Sequence, residues 1–122
     1  MAPRYELLDV AFSTADSELP RIISENGRLW VTFVDWREQI ITLVFHDVVA
    51  YSWDDEDAAV EVTHRDDCCY VVHDSAWLSR HREVGTLMQD AGHHHYKLCF
   101  NAAGVLQVLA LRLEVASELG CA

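Results

Sequence analysis

The chain has 122 residues, 51% of them hydrophobic and 24% charged, and its 20 acidic side chains against nine lysines and arginines give a formal net charge of −11. That mix excludes an intrinsically disordered chain, and the length fits one domain with a single core. A surface this acidic repels nucleic acid and anionic membranes and attracts basic partners.

Residues 4–13, RYELLDVAFS, read as a first strand. The stretch TADSELPRIISENG that follows reads as a connection with at most one helical turn, broken by Pro20 and the Asn26-Gly27 turn. Two runs rich in Val, Ile, Phe, Trp and Thr come next, LWVTFVDW and QIITLVFHDVVAYSW, separated by a turn at Arg37-Glu38. In the first run Trp30, Thr32, Val34 and Trp36 share one face, while Leu29, Val31 and Phe33 share the other. Neither face is polar, which predicts a central strand or one covered on both sides.

Residues 54–57, DDED, form a charge-dense turn. AVEVTH is a short strand candidate and, after an exposed turn at Arg65-Asp66-Asp67, CCYVVHD is another. A helix of about three turns at most follows, with Asp74 or Ser75 as its cap, Trp77 and Leu78 facing inward, and Gly85 ending it. A polar loop through Gly92 leads to a closing hairpin, HYKLCF-NAAG-VLQVLALRLEV. Asn101 suits the first position of a type I turn, and a left-handed Gly104 suits the fourth. Pairing Asn101 with Val105 sets Phe100 opposite Leu106, Leu98 opposite Val108 and Tyr96 opposite Ala110, an entirely apolar face. The predicted architecture is a single α+β domain over 1–122, mainly antiparallel β-sheet with one short helix packed on it.

Chemistry-bearing residues are numerous but poorly spaced. His93, His94 and His95 are consecutive, so at most His93 and His95 could share an ion, and no HExxH or CxxC spacing supplies the rest of a zinc site. The simpler expectation packs His94 at the sheet edge and leaves the other two in solvent. His73, Asp74 and Ser75 are neighbours whose side chains diverge, and helix capping explains Asp74 and Ser75 without catalysis. Cys68, Cys69, Cys99 and Cys121 read as free thiols, with Cys99 packed inside a strand. No glycine-rich phosphate loop is present, and the acids of DDED do not match a helix-loop-helix calcium site. No cofactor, metal site or catalytic set is therefore expected. No apolar run reaches the roughly 20 residues that span a bilayer. The opening MAPRYELLDVAF lacks the pattern of a cleaved leader, so the expected location is the cytoplasm.

The segments LVFHDVVAYSW, DSAWL and HHYKLCFNAAGVLQVLALRLEV resemble small bacterial proteins, some of them immunity proteins of polymorphic toxin systems. Phe45, Asp47, Val48, Asp74, Ser75, Trp77, Leu78, Tyr96 and Gly104 carry that resemblance. It implies a non-enzymatic binding module and transfers no site residues. The expected partner is a basic protein. Asp54, Asp55, Glu56, Asp57 and, if exposed, Trp36 are the expected contacts. A small-ligand or metal-binding domain using the histidines, and a homodimer formed through a free sheet face, are the alternatives.

Overall fold

The computed structural model describes residues 3–8, 10, 12–55, 68–88 and 92–117. Among them are nine strands and one helix: β1 (Arg4–Leu7), β2 (Arg21–Glu25), β3 (Arg28–Val34), β4 (Ile40–His46), β5 (Ala50–Asp54), β6 (Cys69–His73), α1 (Ala76–Glu83), β7 (His94–Phe100), β8 (Gly104–Ala110) and β9 (Arg112–Ser117). The fold is mainly antiparallel β with one short helix, as the residue pattern predicts. The strands divide into two sheets, in the orders β1-β6-β7-β8-β5 and β2-β3-β4-β9.

The inner faces of the two sheets meet. Leu29, Val31, Phe33, Ile41, Leu43 and Phe45 of the four-stranded sheet pack in one cluster with Tyr96, Leu98, Phe100, Leu106, Val108 and Ala110 of the five-stranded sheet. Two aromatic pairs bridge the layers, Phe33–Phe100 at 5.1 Å and Phe45–Tyr96 at 5.4 Å between ring centroids. Each burial alternates with period two along β3, so the odd-numbered residues seal the core and Trp30, Thr32 and Val34 form a half-buried outer face. β3 is central in its sheet, flanked by β2 and β4.

Three local expectations ahead of the hairpin need correction. The first strand is only four residues long; beyond it Leu8, Val10 and Phe12 pack on the core as irregular chain, tied by the Leu8 amide to Cys69 O (2.9 Å) and Thr14 Oγ1 to Cys99 O (2.6 Å). The stretch 14–27 is not simply a connection, since β2 lies within it. Asn26 (φ 51°) and Gly27 (φ 76°) form a two-residue hairpin loop in the left-handed conformation that matches strand twist. The run 39–53 breaks at Asp47 (φ 52°), sending β4 into one sheet and β5 into the other. Residues 59–64 and the Asp66-Asp67 turn lie outside the described residues.

The closing hairpin has the predicted inward face and a different register. Phe100 pairs with Gly104, Leu98 with Leu106, Tyr96 with Val108 and His94 with Ala110, a shift of two residues. Asn101–Ala103 make a three-residue loop, closed by the Ala103 amide on Phe100 O at 2.8 Å. Gly104 is the first residue of β8 rather than the left-handed end of a turn. Its reason is the neighbour strand: a Cβ at Gly104 would run into the Asp54 carbonyl oxygen and the Trp53 ring. A shift of two preserves side-chain parity, so the core face survives the correction.

Ser75 is the helix cap, its Oγ accepting from the Leu78 amide at 3.1 Å, a contact that contributes about 0.5–2 kcal/mol. Asp74 does not cap; it turns the chain between β6 and α1 in a left-handed conformation (φ 58°). Gly85 (φ 82°) ends the helix, its amide bonded to Arg82 O.

Candidate functional site

The β3–β4 connection presents Trp36 to solvent. Residues 36–38 form a three-residue loop in which the Asp35 amide donates to Gln39 O (3.0 Å) and the Glu38 amide to Asp35 O (3.0 Å). Glu38 occupies the left-handed position (φ 65°) such loops require. Asp35 is buried, and its carboxylate accepts from the Arg37 amide (2.9 Å), the Gln39 amide (2.8 Å) and the Arg37 guanidinium (3.2 Å). That clamp holds the tip while Trp36 stays 60% exposed, with the Arg37 guanidinium 5.7 Å from its ring centroid.

Contacts across the core place the acidic residues at the same end of the sandwich. Phe33, one turn of pleat before the tip, meets Phe100, and Phe100 meets Trp53 at 6.0 Å, next to Asp54. The Glu18 amide donates to Val34 O (3.2 Å), and the Asp16 amide to Asn101 Oδ1 (2.8 Å). Asp16, Glu18, Glu38, Asp54 and Asp55 are all exposed there, together with Leu19 at 69%. Asp55 accepts from the Trp53 indole at 3.3 Å. That end thus exposes two large apolar side chains, Trp36 and Leu19, among acidic residues. Of the expected contacts, Trp36, Asp54 and Asp55 lie at the same end of the sandwich; Glu56 and Asp57 lie outside the described residues. Leu19, Asp16 and Glu18 were not foreseen, because they sit in a connection whose docking on β3 has no sequence signature.

The opposite end collects histidines. His95 is buried, contrary to the expectation that it sits in solvent, while His94 is exposed and rests edge-on to Tyr96 at 5.9 Å. β7 lies between β6 and β8, and the N-terminal end of α1 covers the face that His95 occupies. Ser75 Oγ donates to His95 Nδ1 (2.7 Å), and His95 Nε2 donates to Gln107 Oε1 (2.7 Å). Trp77 closes over the imidazole edge-on at 5.2 Å. On the same face Lys97 is 2% exposed, its ammonium 5.0 Å from the Tyr5 ring centroid.

Hydroxyl on imidazole is the geometry of a nucleophile and its base. Here the Ser75 oxygen is also the helix cap, and neutral Gln107 supplies no charge to stabilise an imidazolium. The chain of bonds ties α1 to β7 and β8, which makes it a positioning network. Beside it, Ser75, Ser79, Arg82 and His93 line a polar pocket of about 290 Å³. His93 Nε2 donates to Asp47 O at 2.9 Å. Among the described residues, no group of three or more His, Cys, Asp or Glu side chains could hold a metal ion. Burial pushes the Cys69 thiol pKa strongly upward, which keeps it protonated and a poor nucleophile.

Burial lowers the His95 pKa below its ordinary 6.5, aided by the Lys97 charge and opposed by the Gln107 bond. The unfolded chain therefore binds the proton first. Stability contributed by this site is complete above the unfolded value and declines as pH falls through it toward the folded one. The unfolding midpoint should drop as pH falls below the ordinary histidine value of 6.5, and a His95→Gln variant should lose the His95 share of that slope. Equal slopes in denaturant titrations of the two proteins would refute this assignment.

Comparison with family models, with curated proteins and with solved structures finds no match to this chain.

Proposed function

We propose that this chain is a non-enzymatic protein-binding module whose acidic sandwich end docks on a basic partner, in the manner of an immunity-like inhibitor of a toxin or enzyme. The observation that carries the reading is Trp36, 60% exposed on a tip clamped by buried Asp35. A large aromatic held in place before binding loses little conformational entropy on contact, which makes it an efficient anchor. Around it Glu38, Asp54 and Asp55 provide negative charge, and the net charge of −11 extends the attraction beyond contact distance.

The test begins with capture of the partner by tagged protein from an extract of the native host, identified by mass spectrometry. Association and dissociation are then measured across a salt series. Trp36→Ala should accelerate dissociation by roughly 30-fold, the effect of losing a hot-spot residue. Neutralising Asp54, Asp55 and Asp57 to Asn and Glu56 to Gln should slow association and flatten its salt dependence without changing the unfolding midpoint. Association that ignores salt and is unaltered by either change would remove the proposal.

A further inference from the structure

We propose that Cys68 and Cys99 form a reversible disulfide, closed by exchange with a low-molecular-weight disulfide such as oxidised glutathione. Both are thiols in the structure. Their juxtaposition follows from the ladder between β6 and β7. Cys69 pairs with Leu98, so the next position outward sets Cys68 opposite Cys99. The Cys99 amide donates to Cys68 O at 3.0 Å, while Cys69 O turns the other way and accepts from the Leu8 amide at 2.9 Å. That alternation makes Cys68 and Cys99 a hydrogen-bonded pair, with Cα atoms about 5.5 Å apart, inside the range a disulfide spans. Directly opposite residues also share a face. Cys69 and Leu98 pack in the core between the sheets, which leaves Cys68 and Cys99 together on the outer face of the five-stranded sheet.

Burial fixes the order of events. Cys99 is 1% exposed and Cys68 half-buried, so a reagent from solvent meets Cys68 first. The Cys68 thiolate attacks one sulfur of the small disulfide, whose S–S bond breaks and releases one thiolate. The Cys99 thiolate then attacks the Cys68 sulfur of the mixed disulfide and expels the other half of the reagent. The two cysteines give up two electrons, the reagent takes them, and the two cysteine protons end on the two released thiols. Cys69 takes no part, because it lies on the opposite face and burial keeps its thiol protonated. Cβ atoms of opposed strand residues lie about 4.5–5.5 Å apart, against about 3.5–4.5 Å in a disulfide, so closure draws the strands together. Cys68 precedes the first residue of β6 and is the side that yields, whereas Cys99 is held by Val105 on its other flank. A bond closed under that strain is readily reduced, which makes it a reversible modification rather than a permanent staple.

The inference does not depend on the acidic end binding a partner, and its test needs none. The folded full chain is incubated with excess oxidised glutathione, its remaining thiols are alkylated, and it is digested with trypsin without reduction. Cleavage after Arg65, Arg80, Lys97 and Arg112 puts Cys68 and Cys69 in peptide 66–80 and Cys99 in peptide 98–112. Mass spectrometry should find these two peptides joined, lighter by two hydrogens than their sum, and separated again by dithiothreitol. Cys69→Ala should keep the crosslink; Cys68→Ser and Cys99→Ala should each abolish it. Circular dichroism verifies that the variants fold, and Cys68→Ser, at the half-buried position, gives the same loss without touching a buried side chain. Thiols that stay reduced, glutathione retained on Cys68 without closure, a crosslink through Cys69 or Cys121, or closure only in denaturant would each overturn the inference.

Discussion

Replacing Phe100 with Ala is expected to destabilise the fold by about 3–5 kcal/mol, a large share of the roughly 5–15 kcal/mol that holds such a domain together. Phe100 is 1% exposed and lies where the two sheets and the β5 edge converge, in contact with Phe33 at 5.1 Å and with Trp53 at 6.0 Å. Its ring is the only packing partner shared by those two aromatics among the ring contacts of the described residues. Truncation removes the transfer energy of the ring and leaves a cavity. The surrounding side chains close that cavity poorly, because each is fixed by its own strand. Phe100→Leu should recover more than half of the loss. Chemical unfolding of the three proteins decides the matter, and a Phe100→Ala penalty below about 1 kcal/mol would mean that the sheets are not packed through this residue.

The second large effect belongs to Gly104. A methyl group there meets the Asp54 carbonyl oxygen and the Trp53 ring. Backbone cannot rotate away as a side chain can, so relief requires β5 to separate from β8. The cost should reach or pass the upper end of the roughly 1–3 kcal/mol typical of overpacking. Because β5 is the edge of its sheet and ends in Asp54, the displacement should also be visible at Trp53 in near-ultraviolet circular dichroism. Gly104→Ala with unchanged stability and an unchanged Trp53 signal would show that the strands do not approach as closely as the structure has them. If the acidic end binds a partner, the same variant should weaken binding, since it moves Asp54 and Asp55 relative to Trp36.

Much of the core follows from residue order alone. Alternation with period two assigns Leu29, Val31 and Phe33 to one side of a strand and Tyr96, Leu98 and Phe100 to one side of another, and every one of these is buried. Ser75 before an amphipathic stretch and Gly85 after it bound the helix for local reasons, a hydroxyl that accepts an end amide and a residue that tolerates positive φ. These signals act over a few residues and need no knowledge of the rest of the chain.

Tertiary structure decided what depends on distant neighbours. The hairpin register moved by two because Gly104 answers to Trp53 and Asp54, some fifty residues earlier, rather than to its own turn. His95 and Lys97 alternate with the core residues of β7 and by pattern alone belong to solvent. They are buried because β7 is an inner strand with its second face also covered, and the polar atoms of His95 find Ser75 and Gln107 there. The run 39–53 reads as one strand but crosses between sheets at Asp47, since closing a two-layer core requires the chain to change layers. Likewise, the placement of Asp54 and Asp55 at the same end as Trp36 comes from the packing of Phe33, Phe100 and Trp53. Sequence names those residues; only the meeting of the two sheets sets them at one end.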